Sequence, residues 1–100
     1  MAEEYSIELF RQEGDPFRSV RLSVSSDGSI KMDAQDMGTL VKRTWGDDDY
    51  EFWVDTPPEA LRKLVFCLLR EKYSGRGSAV DEFQDFCERE KIEHKWENWV

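Results

Sequence analysis

The residues of this chain best suited to chemistry are one histidine, two cysteines and a run of three aspartates. Any Ser/His or Cys/His nucleophilic system must use His94, with Cys67 or Cys87 as the thiol. Both cysteines lie in or beside apolar stripes of helical spacing, where a free cysteine packs as a small hydrophobe. His94 alternates with Ile92 and Trp96, as in a strand. No G-x-S-x-G elbow presents a serine. A zinc site needs about four N or S ligands. Cys67, Cys87 and His94 supply three, without motif spacing, and their spacing leaves a Cys67–Cys87 disulfide open. Asp47, Asp48 and Asp49 invite a hard cation, yet the EF-hand pattern is absent, and a solvated turn is the plainer reading. Paired acid/base carboxylates could come from any of 22 acids, and no spacing selects two of them. The chain has no Walker A loop, no G-x-G-x-x-G and no H-E-x-x-H, so it calls for no cofactor and no metal.

The bulk numbers narrow the classes further. One hundred residues suit a single domain, 1–100. With 39% apolar and 13% aromatic residues the chain can build one core, unlike a disordered acidic chain. A net charge of -8 and a pI near 4.6 oppose phosphate backbones and anionic lipid. Arg62, Lys63, Arg70, Lys72 and Arg76 read as the solvated side of a leucine-rich helix, so no nucleic acid is expected. No apolar run approaches the roughly 20 residues that span a bilayer. The start, MAEEYSIELF, lacks the basic and apolar regions of a secretory signal, so a cytoplasmic location with no membrane partner is expected.

The elements that would position these residues follow from periodicity. Tyr5, Ile7 and Leu9 alternate with Ser6 and Glu8, and Val20, Leu22 and Val24 alternate with Ser19, Arg21 and Ser23. Asp27-Gly28 supplies a hairpin turn, after which Ile30 and Met32 continue a third strand. Met37, Leu40, Val41 and Trp45 then fall at helical spacing, with Asp33 as cap and Gly46 as terminator; a strand through 39–43 is the alternative. Tyr50, Phe52 and Val54 alternate into the core, with Trp53 on the other face. Thr56 as N-cap, Pro57 at the first helical position and Glu59 open a main helix. Its stripe is Leu61, Leu64, Val65, Leu68 and Leu69, and Gly75 ends it. A further helix carries Val80, Phe83, Phe86 and Cys87, and the tail IEHKWENWV reads as a last strand. The expected fold is α+β: an antiparallel sheet of about five strands with two to three helices packed on one face, in the order β-β-β-α-β-α-α-β.

The stretch DAQDMGTLVKRTWGDDDYEFWV, 33–54, resembles a pattern in small, largely uncharacterised bacterial proteins. That pattern is a Q-D-hydrophobic-G turn, then W-G, then an acidic Y-E-aromatic strand, followed by a leucine-rich helix, a second helix and an aromatic tail. Some of these proteins are similar to immunity proteins of polymorphic toxin systems, which bind and block a cognate toxin. The resemblance implies a bacterial, non-enzymatic binder and carries no residue roles.

The residues suggest a binder independently of it. Asp81, Glu82, Asp85, Glu88, Glu90, Glu93 and Glu97 make the C-terminal part acidic, against Arg89, Lys91 and Lys95. Trp96 and Trp99 have opposite parity in a regular strand, so one of them faces solvent, and a tryptophan beside acids marks an interface. The expected function is an acidic, non-catalytic module that occludes a basic partner protein. Its candidate patches are Asp47, Asp48, Asp49 and Trp53, and Glu93, Trp96, Glu97 and Trp99. The alternative is a small enzyme or ligand-binding domain using carboxylates in a helix–sheet cleft. An exposed edge strand offers a route to homo-oligomers.

Overall fold

The computed structural model describes residues 4–46 and 49–99. The chain divides into two compact units, Met1–Leu64 and Val65–Val100. The first holds a four-stranded antiparallel sheet in chain order: β1 (Tyr5–Gln12), β2 (Phe17–Val24), β3 (Ile30–Met37) and β4 (Asp49–Thr56). Helix α1 (Thr39–Trp45) lies between β3 and β4 in sequence. A single 3-10 turn, Pro58–Ala60, leads into α2 (Leu61–Tyr73), inside which the division between units falls. Helix α3 (Ala79–Arg89) follows. The fold class is therefore α+β, with four strands among the described residues instead of about five.

Register assigns the faces, because directly opposed residues of an antiparallel pair share a side. Ile7 faces Leu22, Leu22 faces Met32, and Met32 faces Val54. One row further along, Phe10, Val20, Ala34 and Phe52 lie in line. This is the apolar face. Ala34, at 6% exposure, is the one residue of this face that is buried among the described residues, a small side chain between the larger Val20 and Phe52. The other face carries Glu8, Arg21, Asp33 and Trp53 in one row. Leu9 departs from the expected alternation. The register slips between Glu8 and Phe10, so Leu9 is the extra residue of a bulge and Phe10 takes the place opposite Val20.

Turns follow local chemistry. At 25–29 the Gly28 N–H donates to the Ser25 carbonyl at 3.0 Å, with Gly28 at φ 95°. Asp27 Oδ1 accepts from the Ser29 N–H at 2.9 Å and hydroxyl at 2.7 Å. Only the glycine has a positive φ, so this is a longer hairpin loop with a left-handed glycine.

Three expected element boundaries move. Asp33 and Met37 belong to β3, which pairs through Phe17–Met37, so α1 begins only at Thr39. Its end at Gly46 is as expected: the left-handed glycine donates its N–H to the Lys42 carbonyl at 2.9 Å. Thr56 is the last residue of β4 and caps nothing. Pro57 is extended, at ψ 164°, because Pro58 follows it and a residue before proline avoids the helical region. Helical turns therefore start at Pro58. The tail over 92–99 forms no strand. Lys91 adopts φ 58°, and the Ile92 N–H donates to the Cys87 carbonyl at 2.8 Å, a Schellman closure that turns the chain away from α3.

In the second unit the expected stripe of α3 is present. Cys87 is 3% exposed, and the Phe83 ring meets Tyr73 of α2 edge-on, 6.0 Å between centroids. Cys67 and Cys87 are free thiols.

Candidate functional site

Strand β4 presents the first candidate patch. Asp49, Glu51, Trp53 and Asp55 alternate along the polar face, so Asp49 and Trp53 share a side about 13 Å apart, at ~3.3 Å per residue. Asp49 accepts a hydrogen bond from Gln35 Nε2 at 3.0 Å. Trp53 stands opposite Asp33 at 53% exposure, with Lys31 Nζ 4.9 Å from its ring centroid, a cation–π contact that holds the indole on the surface. Asp47 and Asp48 lie outside the described residues.

Elsewhere on this face two arginines gather around one acid. Glu8 pairs with Arg11 at 3.6 Å and Arg21 at 3.9 Å, and Arg21 Nη2 donates to Ser6 Oγ at 3.2 Å. Lys31 stands directly opposite Asp55, but among the described residues neither Glu51 nor Asp55 joins an ion pair, so acids outnumber cations along β4.

The second patch belongs to the other unit. Glu93, Trp96, Glu97 and Trp99 lie in the irregular tail, so the strand-parity argument for the two tryptophans does not apply. Both are exposed all the same, Trp99 at 98%. Trp96 and Glu97 line a cleft of about 270 Å3 with Val80, Phe83, Gln84, Cys87, His94 and Lys95. Glu93 and Trp99 are not in its wall, and Glu97 pairs with Lys95 at 3.6 Å. His94 and Cys87 thus border one space, but the imidazole has its nearest polar neighbours elsewhere. Nδ1 is 2.8 Å from the Ile92 carbonyl oxygen, and Nε2 is 3.8 Å from Glu88. Among the described residues no hydrogen bond joins either nitrogen to a thiol.

Residues expected in the core are also at the surface. Phe52 and Val54 remain exposed, Val54 at 70%, as do Tyr5, Ile7, Phe10 and Met32 on the same face. Alternation assigned most of them to one side correctly, but periodicity reports which side a residue takes, not what covers it. A recess of about 570 Å3 between α1 and the sheet ends this face, lined by Phe10, Val20, Met37 and Val41 with Arg18 and Asp36. There Arg18 Nη2 donates to Asp36 Oδ2 at 2.6 Å while its Nε donates to Oδ1, and this fork raises the Arg18 pKa above its ordinary value.

Among the described residues two carboxylates, Asp15 and Asp27, are held below their ordinary range. Asp15 accepts from the Thr39 hydroxyl at 2.6 Å and the Thr39 N–H at 3.0 Å, in that order of effect. Asp27 is lowered by the Ser29 N–H and then its hydroxyl. These are capping carboxylates; a general acid at neutral pH needs the opposite shift. Among the described residues no group of three His, Cys, Asp or Glu side chains could hold a metal ion, and no helix is long and apolar enough to cross a membrane.

A four-stranded antiparallel meander with an acidic edge and exposed aromatic residues thus defines the molecule. Comparison with protein-family models, with characterised proteins and with solved structures found no match.

Proposed function

We propose that this chain is a non-catalytic protein-binding module that occludes a basic partner. The observation that carries this reading is β4. Trp53 stands exposed on one side between Glu51 and Asp55, neither of which joins an ion pair among the described residues, and Phe52 and Val54 stand exposed on the other. Aromatic anchors supply contact energy once desolvated, and unpaired acids steer an oppositely charged partner to them. The tail offers Trp96 and Trp99 in the same company of acids. The net charge of -8 gives the whole chain the sign that such steering needs.

The resemblance of 33–54 to the immunity-like bacterial proteins extends this to a cytoplasmic antagonist of a toxin. The test is affinity capture from the native lysate, followed by titration of the purified partner. A stoichiometric basic protein, bound more weakly as salt rises and losing its activity when bound, is the expected result. Binding that is indifferent to salt, or a partner whose activity is untouched, would refute occlusion by an acidic surface.

A further inference from the structure

We infer that β4 is a docking strand, to which an extended segment of the partner protein, alternating lysine or arginine with apolar residues, adds as a fifth strand. This rests on the protein-binding reading above and specifies its mode.

The sheet has two edges, and they differ. β1 carries the bulge at Leu9, a device that bends an edge and blocks further pairing. β4 pairs with β3 without interruption from Ile30–Thr56 to Met37–Asp49, and no bulge spoils it. The outer edge of such a strand turns every second residue's N–H and C=O away from the sheet, ready for a new neighbour.

The side chains choose the neighbour. An added strand meets Glu51 and Asp55 on one face and Phe52 and Val54 on the other. A second copy of β4 fits badly. With the apolar faces kept together, antiparallel self-pairing centred on Trp53 sets Glu51 against Asp55 of the other copy, twice. Centred on Phe52, it sets Asp49 against Asp55. Like charges directly opposed destabilise a strand pair, and opposite charges stabilise it. The complement is a strand with cations opposite Glu51 and Asp55 and apolar residues opposite Phe52 and Val54.

The experiment is amide hydrogen exchange on the full chain, with a synthetic alternating Lys-Val peptide as probe and an alternating Glu-Val peptide as control. The Lys-Val peptide is expected to slow exchange in β4 and to leave β1 unchanged. The double variant Glu51→Lys/Asp55→Lys is expected to bind it about tenfold more weakly and to accept the Glu-Val peptide instead. Should that variant fail to fold, Asp55→Asn in the same assay gives the same direction with a smaller loss. Three outcomes overturn the inference: no protection in β4, protection in β1 instead, or β4 protected without peptide while light scattering reports a dimer. A natural basic partner whose affinity ignores the double variant also overturns the docking strand, yet leaves the binding reading standing. The binding reading fails separately, if no basic protein binds the chain at all.

Discussion

Thr56 ends β4 with its hydroxyl buried and without a hydrogen-bond partner among the described residues. Such a group loses its water and gains nothing, at a cost of roughly 1–3 kcal/mol. Thr56→Val keeps the shape and removes the hydroxyl, and is expected to stabilise the protein by about 1 kcal/mol, read from the urea midpoint. Lys91 holds a left-handed conformation that costs a side-chain-bearing residue about 1 kcal/mol and glycine little. Lys91→Gly should therefore raise the melting temperature. Asp15 shows a different dependence. Its folded pKa is lowered, so its contribution is present above the unfolded carboxylate value and is lost as pH falls through the folded one. Asp15→Ala is accordingly expected to lower the melting temperature at pH 7 and to differ progressively less from the parent as pH falls below the ordinary carboxylate range. Gly38 completes this contact: a Cβ there would run into Asp15 Oδ1. Gly38→Ala should thus destabilise, and its effect should not add to that of Asp15→Ala.

At the scale of elements, local signals were legible where they were self-contained. Gly46 and Gly75 stop their helices as read, since a left-handed glycine needs only its own backbone. Val80, Phe83 and Cys87 line one side of α3 by spacing alone. What depended on distant partners was not legible. β3 runs on to Met37 because Phe17 pairs with it, and α1 is capped by Asp15, 24 residues upstream. The tail alternates like a strand, but no neighbour pairs with it among the described residues, and alternation without a partner makes no strand. Of the candidate site, Trp53 and one of the two tail tryptophans were expected at the surface, and both tail tryptophans are exposed. The exposed Phe52 and Val54 were missed, because an apolar residue in an alternating run looks the same whether or not anything covers it. Val54 gives the element its own test. Val54→Thr is expected to change stability by no more than about 0.5 kcal/mol, as at other exposed positions, while weakening partner binding.

At the scale of the molecule, 22 acids stand against 14 lysines and arginines. Attraction between exposed charges falls off over about 8 Å at physiological salt, so steering by this surplus must weaken as salt is added. The apolar contacts at Trp53, Phe52 and Val54 weaken far less. Association rate should therefore fall steeply with salt while dissociation changes little, a split that surface plasmon resonance would resolve.

The most direct measurement of the central claim is capture from the native lysate at low and high salt, comparing the parent chain with Trp53→Ala/Trp99→Ala. The expected result is one stoichiometric basic protein, held at low salt, weakened at high salt, and bound at least about tenfold less tightly by the double variant, in line with the roughly 2 kcal/mol typical of a tryptophan hot spot. Capture of no stoichiometric basic protein at either salt, or of one that the double variant holds equally well, would contradict the account.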